Sequence, residues 1–260
     1  MLGTIDTTHS AEGIATVTIS NPSRLNAMTL SMWHTLAATM HALSADQTTR
    51  AVMIRGEGEA AFVSGADISE FATVRASPAA IKAYDLAVLN AEEAISACTK
   101  PVLAAISGVC YGGGLGIALC CDLRYASPTA RFSLPAAKLG LGYGLHNIKR
   151  MQHVIGTAQT YEFLLTARVS NSTEALKIGM IHAYEQDVFL HALDQAKKIA
   201  MLAPLTLSSI KLAMRHLYGA EDAPDANAVN RSVTTCFESL DYAEGRKAFK
   251  EKRTPKFIGQ

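Results

Sequence analysis

A long stretch without any charged side chain, residues 102–121, encloses three adjacent glycines at 112–114. Its length would suit a membrane span, but three glycines together are unfavourable inside any helix. Residues 102–106 are apolar, follow Pro101 and have the length of a short buried strand, whereas the residues after the glycines are typical of a buried helix. The sequence therefore predicts a strand, a glycine turn and a helix in the core of a soluble protein.

The glycine turn is suited to binding an oxygen atom. Glycine tolerates positive φ and lets another group approach the backbone closely. The three glycines stand where the predicted helix begins, so free N–H groups and the positive end of the helix dipole point the same way. A polarised or negatively charged oxygen would fit there, although a tight turn in a well-packed core explains the same residues.

Composition narrows the class of protein further. Of the 260 residues, 49% are hydrophobic and 18% are charged, which suits a large core or subunits that bury further surface. The net charge of +1 and the lack of a basic run predict no nucleic-acid partner. The first residues lack the features of a signal peptide, so we expect a cytoplasmic protein that binds no membrane. Five cysteines without metal-ligand spacing predict reduced, buried thiols and no metal site: Cys98, Cys110, Cys120, Cys121 and Cys236.

Strand and helix patterns alternate along most of the chain. A hairpin is predicted within residues 4–19, followed by a helix over 29–45 with Trp33 as a core anchor. The alternation favours parallel βα or ββα units, and thus an α/β fold. Strand signals nearly vanish after residue 157, and the composition shifts near Asp187. We therefore predict two regions, residues 1–187 with the strands and residues 188–260 as a helical appendage.

A second glycine-containing turn, residues 64–68, also follows a buried strand. Each turn can offer one backbone N–H to the same oxygen, which makes a two-donor oxyanion hole. The pair of turns resembles the crotonase superfamily, the enoyl-CoA hydratase/isomerase family. The resemblance covers nearly the whole chain and rests on motifs in the family's order and spacing: residues 21–27, 60–70, 100–122, 132–135 and 249–257.

The resemblance implies a crotonase-like ββα spiral in residues 1–187 and a helical C-terminal trimerisation region in residues 188–260. It implies a homotrimer or a dimer of trimers. The substrate that it implies is an acyl-CoA thioester. Coenzyme A would be part of that substrate, and no cofactor would be bound permanently.

By position, the resemblance implies that Ala66 and Gly113 supply the N–H groups that hold a thioester carbonyl as it becomes an enolate. One such donor is worth on the order of 3 kcal/mol of barrier. Without the resemblance, Arg24 and Lys252 would be interpreted as solvated surface charges. The residues implied to bind coenzyme A, the last two in a neighbouring subunit's site, are Arg24, Leu25, Ala27, Ala66, Asp67, Ile68, Phe249 and Lys252.

Two positions depart from the family pattern. Hydratases of the family carry glutamates where this chain has Gly116 and Ala136, and neither residue can move a proton. The resemblance therefore implies a member that lacks both hydratase glutamates, and hydration by the two-glutamate mechanism is not expected. Glycine in a helix costs about 1 kcal/mol against alanine, so we expect Gly116 to leave room for something bulky.

The segment 139–147 follows directly and resembles family members that decarboxylate malonyl-type CoA thioesters. In that interpretation Tyr143 orients the carboxylate, and His146 bonds to it or donates a proton. The alternatives are that Tyr143 only walls the acyl pocket, and that His146 and Asn147 cap a helix over 147–154.

We therefore predict a CoA-thioester enzyme that holds an enolate between Ala66 and Gly113. A decarboxylase-like lyase step or an isomerase step fits better than hydration. The alternatives are an enoyl-CoA hydratase with a non-standard residue set and a non-catalytic acyl-CoA-binding homologue. Among the other acidic residues, we expect Asp67 to fix its turn and Asp122 to be structural, with Glu70 a weaker candidate acid.

Overall fold

The computed structural model describes residues 3–219 and 223–260, so residues 1, 2 and 220–222 of the two predicted regions lie outside the described residues. Its strands are β1 (Thr4–His9), β2 (Ile14–Ser20), β3 (Ala51–Gly56), β4 (Ala61–Val63), β5 (Val102–Ile106), β6 (Val109–Tyr111), β7 (Leu123–Ala126), β8 (Arg131–Ser133), β9 (Ser170–Asn171) and β10 (Ala183–Tyr184). Its helices are α1 (Leu30–Ala45), α2 (Phe71–Val74), α3 (Pro78–Ala97), α4 (Gly113–Cys120), α5 (Leu145–Thr166), α6 (Ser172–Lys177), α7 (Val188–Ala200), α8 (Pro204–Tyr218), α9 (Ala226–Glu238) and α10 (Leu240–Glu251).

Successive strands are distributed between two sheets. The larger sheet has the order β1-β2-β3-β5-β7-β10, and the smaller has the order β4-β6-β8-β9. The hairpin β1–β2 is antiparallel, as predicted, and β2, β3, β5, β7 and β10 run parallel. In the smaller sheet β4, β6 and β8 run parallel, and β9 pairs antiparallel with β8 at the edge. One strand in each sheet followed by a helix is the ββα unit, so the predicted α/β spiral is confirmed.

Trp33 is buried in the main core, where the sequence predicted an anchor. Its ring is buried between α1 and α3, and its indole Nε1 donates a hydrogen bond to the Tyr84 hydroxyl over 3.1 Å. A buried indole N–H needs such a partner, and this one ties α1 to α3.

The last quarter of the chain is helical, and α7 packs against the outer face of the larger sheet. Val188, Ala192 and Ala196 form a second buried cluster with strand residues that include Met53 and Leu103. The division at residues 187 and 188 stays a prediction. Within the described residues, no helix is long and apolar enough to cross a membrane.

Two elements differ from the predicted ones. Strand β6 intervenes between β5 and the glycine turn, and positive φ at Gly108 and Gly112 isolates its three residues. The helix considered over 147–154 is longer than expected, because α5 continues to Thr166 and kinks at Gly156 with φ 76°. All five cysteines are free thiols, and all but Cys236 are buried, as predicted.

Candidate active site

The two glycine turns meet because the strands before them are neighbours. Strands β4 and β6 pair in parallel, so their carboxyl ends lie side by side. Gly65 has φ +120°, and a Cβ there would lie 3.4 Å from the Tyr111 carbonyl oxygen and 4.0 Å from the Gly113 nitrogen. The turn at 64–68 and the start of α4 therefore adjoin each other, as the sequence predicted.

The N–H groups of Ala66 and Gly113 have no acceptor in the described part of the chain. Met28 donates to the Gly65 carbonyl and accepts from the Asp67 N–H, each over 2.8 Å, which leaves the Ala66 N–H between them unused. Gly113 is the first residue of α4, where an N–H has no intrahelical acceptor. Two donors are thus available beside each other at the positive end of a helix.

Ala66 and Gly113 both line one cavity of about 280 Å³. Its lining includes Trp33 of α1, Tyr84 and Val88 of α3, and Leu134 and Leu141 from the segment that follows β8. The predicted site residues that line this same cavity are Ala66, Ile68, Gly113, Tyr143 and His146. Ala136 lines it as well, whereas Gly116 is buried behind it on α4.

The early loop, residues 21–27, contacts the turn at residues 64–68. The Ser64 N–H donates to the Leu25 carbonyl over 3.0 Å, and Arg24 Nη1 lies 3.5 Å from Asp67 Oδ1. Asp67 also accepts from the Ser69 N–H over 3.0 Å, so it fixes its turn as predicted. Ile68 is 67% exposed. Four of the residues predicted to bind coenzyme A therefore gather beside Ala66.

The other predicted contacts with coenzyme A stay predictions. Ala27 is buried, and its N–H and carbonyl both bond within the early loop, to Arg24 and Asn21. Phe249 is 86% exposed near the end of α10, and Lys252 follows that helix. Neither Phe249 nor Lys252 lines the cavity of the same chain.

Tyr143 packs against the core and lines the cavity. Burial of the phenol, and then the nearby Glu92 carboxylate, raise the pKa of Tyr143 well above its usual value of 10. The phenol therefore stays protonated at neutral pH. It can donate a hydrogen bond to a ligand but cannot act as a base.

A buried carboxylate that the sequence interpretation missed lies in the same cavity. Glu92, on α3, is 1% exposed, and its Oε2 lies 3.5 Å from His146 Nε2. In the amide orientation that satisfies its neighbours, Asn147 donates to Glu92 Oε1 over 3.2 Å and to Oε2 over 2.8 Å. The Asn147 oxygen then accepts from His146 Nε2 over 3.0 Å. Glu92, His146 and Asn147 form one polar cluster.

This cluster corrects one alternative for His146 and Asn147. Helix α5 begins at Leu145 with Gly144 at its N-cap, and no side chain caps it. Both residues lie in the first turn of α5 and face Glu92 rather than the helix end. Gly144 leaves the space for the imidazole, because a Cβ there would lie 2.7 Å from His146 Cε1.

Two other acidic residues have structural roles. Asp122 accepts from the Val102 N–H over 2.7 Å and pairs with Lys211, so its predicted structural role is confirmed. Glu70 was considered as a candidate acid, but it accepts from the Leu30 N–H over 2.9 Å at the start of α1 and does not line the cavity.

Helical phase was the signal that could have revealed Glu92. Tyr84, Val88 and Glu92 follow one another at intervals of four residues, so they share one face of α3. All three line the cavity. A carboxylate on an otherwise apolar stripe is unusual, because burying a charge costs free energy unless the charge is paired and hydrogen-bonded.

The ββα spiral and its two adjoining glycine turns define the crotonase class of fold. The family model described as Enoyl-CoA hydratase/isomerase matches residues 9–260, and the chain belongs to this family. It is 31% identical over 258 residues to a crotonyl-CoA hydratase of Syntrophomonas wolfei subsp. wolfei, with 96% of each chain covered. It is 33% identical to a probable enoyl-CoA hydratase of Bacillus subtilis, covering 95% of this chain and 96% of the relative.

Solved structures agree with this assignment. An enoyl-CoA hydratase/carnithine racemase from Magnetospirillum magneticum has a TM-score of 0.92 to this chain at 36% identity, over 98% of this chain and 96% of the other. The likeness extends over the full spiral and the C-terminal helices.

Proposed function

We propose that this chain is an acyl-CoA-processing enzyme that holds a thioester carbonyl between the N–H groups of Ala66 and Gly113 and stabilises its enolate. The observation that carries the proposal is the pair of adjacent, unpartnered donors in residues that line one cavity. Coenzyme A arrives as part of the substrate, and no permanently bound cofactor is needed.

The arrangement suits enolate chemistry for an electrostatic reason. Negative charge develops on the carbonyl oxygen when a bond at the neighbouring carbon breaks, and donors already in place need not reorganise. Each donor is worth about 3 kcal/mol of barrier. Because Gly113 begins α4, the helix dipole adds to the same stabilisation.

The step that follows is a lyase or isomerase step in this proposal. Gly116 and Ala136 stand where hydratases of the family are expected to carry their glutamates, and neither can move a proton. A decarboxylase-like step needs the oxyanion hole and a group that orients the carboxylate, for which Tyr143 is available as a neutral donor. An isomerase step needs only a group that moves one proton along the acyl chain.

Hydration by a non-standard residue set is the second candidate. The observation in its favour is that relatives about one-third identical over nearly the whole chain carry the names crotonyl-CoA hydratase and probable enoyl-CoA hydratase. A third possibility, a non-catalytic acyl-CoA-binding homologue, predicts binding without turnover.

We also propose a cytoplasmic homotrimer or dimer of trimers, in which Phe249 and Lys252 reach a neighbour's nucleotide end. In support, α8, α9 and α10 expose large apolar side chains: Ile210, Met214, Leu217, Val233, Phe237, Leu240, Tyr242 and Phe249. Exposed apolar surface of this extent is typical of an interface. Light scattering at micromolar concentration should give three or six chains, and a monomer would contradict the assembly.

A turnover screen tests the reaction. Crotonyl-CoA, a 3-enoyl-CoA, methylmalonyl-CoA and a ring-containing acyl-CoA are each incubated with the protein, and the products are separated and weighed by mass spectrometry. Loss of carbon dioxide indicates the lyase step, and an isomer of unchanged mass indicates the isomerase step. Gain of water at roughly 10 per second or more supports the hydratase instead. Tight binding of every thioester without any product would refute the proposal that this chain is an enzyme.

A further inference from the structure

Glu92 is a buried carboxylate without a cationic partner in an ion pair. Within residues 3–219 and 223–260, no lysine or arginine forms an ion pair with it, and His146 at 3.5 Å is its closest basic group. Its neighbour Glu93, by contrast, pairs with Arg150 over 2.9 Å. A buried carboxyl group that is held by an amide and an imidazole instead of a salt bridge is costly to the fold.

The Glu92 carboxylate lies close to the proposed oxyanion hole. Glu92 Oε1 fills the space in which any residue other than glycine at 116 would place its Cβ, and Glu92 Cδ lies 3.5 Å from that point. Gly116 follows Gly113 by three residues on α4, so the two share one helix face and lie about 5–6 Å apart. The carboxylate therefore stands about one helical turn from the Gly113 N–H.

Its orientation is fixed from the other side by α5. Asn147 donates to both carboxylate oxygens, and the Asn147 oxygen holds the proton of His146 on Nε2. These contacts restrict the Glu92 rotamer and leave further lone pairs on its oxygens for a ligand, since a carboxylate accepts at about four sites.

We propose that Glu92 is the acid–base residue of this site, a catalytic carboxylate supplied by α3 in the space that Gly116 leaves open. The inference rests on the proposed enolate chemistry. Glu92 takes a proton from C2 of a 3-enoyl thioester, and the electron pair moves onto the oxygen held by Ala66 and Gly113. When the enolate collapses, the double bond forms between C2 and C3, and C4 takes the proton from the Glu92 carboxyl. No other reactant is consumed.

The same carboxylate restricts the acyl group. An acyl chain with its own carboxylate would add a further unpaired negative charge to this cavity, because the Arg75 guanidinium that also lines it is already paired with Asp85 over 3.4 Å. Like charges repel more strongly there than in water. The site therefore favours uncharged enoyl thioesters, and between the two proposed steps it favours isomerisation over decarboxylation.

The test compares the wild-type chain with Glu92→Gln and Glu92→Asp. The control is Asp194→Asn, which alters an acidic residue of α7 that lies outside the cavity and whose side chain is 59% exposed. For each protein we would measure isomerisation of a 3-enoyl-CoA, deuterium uptake at C2 in D2O, acyl-CoA binding by calorimetry, and melting temperature.

We expect Glu92→Gln to lose about 10²-fold or more in isomerisation and in deuterium uptake, while binding and melting temperature are kept. Glu92→Asp retracts the carboxylate and should lose at least about tenfold, because positioning is as important as charge. Asp194→Asn should match the wild type. If Glu92→Gln does not fold, the comparison of Glu92→Asp with Asp194→Asn tests the role of Glu92.

Any other outcome contradicts a specific part of the proposal. A folded Glu92→Gln or Glu92→Asp with wild-type exchange refutes the role of Glu92 and leaves the oxyanion hole intact. A wild-type protein that neither exchanges nor converts any thioester refutes the proposed function, and the role of Glu92 with it. Faster conversion of methylmalonyl-CoA than of the 3-enoyl-CoA refutes the selection of uncharged acyl groups.

Discussion

The carboxylate of Glu92 and the backbone of Gly116 share one space: Glu92 Cδ lies 3.5 Å from the point at which residue 116 would carry a Cβ. Only glycine at position 116 therefore leaves room for the Glu92 carboxylate of α3. The expectation that Gly116 leaves room for something bulky is met by a side chain of the same protein.

Gly116→Ala should separate stability from activity. Alanine favours a helix by about 1 kcal/mol over glycine, but its Cβ would meet Glu92 Oε1, which Asn147 holds in place. We expect these opposing effects to leave the melting temperature little changed, while displacement of the Glu92 carboxylate lowers turnover at least about tenfold. Thermal melting and steady-state kinetics provide the two readouts. Unchanged turnover would show that the position of Glu92 is not used.

Tyr143→Phe tests whether the phenol donates to the ligand. Because burial raises the pKa of Tyr143, the phenol stays neutral through the physiological range and contributes the same hydrogen bond at every pH there. Removing it should lower kcat/KM about 5- to 10-fold, the worth of one neutral hydrogen bond. The shape of the pH–rate profile between pH 6 and 9 should not change. If a limb of that profile disappears, Tyr143 titrates and the assignment as a neutral donor is wrong.

The cysteines should differ in reactivity. Burial raises the pKa of Cys121 to about 12 and that of Cys110 and Cys120 well above 9, so their thiolates are scarce at pH 8. A thiol-specific reagent at pH 8 should modify at most Cys236 in the folded protein, and all five thiols in denaturant. Cys236→Ser is the control, and it should abolish the reaction of the folded chain. Rapid modification of a second thiol would contradict the described burial.

Acid stability should depend on the C-terminal tail. Hydrogen bonds from Arg253, and then from the Lys256 N–H, lower the pKa of Glu244 from 4.5 to about 2. A carboxyl whose folded-state pKa is lowered stabilises the fold above its unfolded pKa, and this contribution disappears as the pH falls from about 4.5 to 2. Melting curves between pH 2 and 6 should therefore show a shallower decline for Glu244→Gln than for the wild type. An equally steep decline in both would rule out this contribution.

The sequence was informative where local pattern determines structure. Buried strands followed by glycines predicted both turns, and the parallel pairing of β4 and β6 then brought Ala66 and Gly113 together. Strand β6 was missed because its three residues lie between two glycines of positive φ and carry too short a pattern.

Glu92 was missed for a different reason. It stands beside Glu93 in a helix, and both residues have the same chemistry. Tertiary packing alone decides that Glu93 pairs with Arg150 while Glu92 faces the cavity. The Asn147 and His146 contacts join α3 to α5 over more than fifty residues of sequence, and no local pattern predicts them.

The central claim is that the N–H groups of Ala66 and Gly113 polarise a thioester carbonyl. Infrared difference spectroscopy of an acyl-CoA labelled with 13C at the carbonyl measures this directly in the bound state. Two hydrogen bonds from fixed donors should shift the labelled carbonyl stretch to lower frequency than in water. A stretch at or above its frequency in water would mean that the carbonyl lies in an apolar pocket without donors, and the oxyanion hole would have to be abandoned.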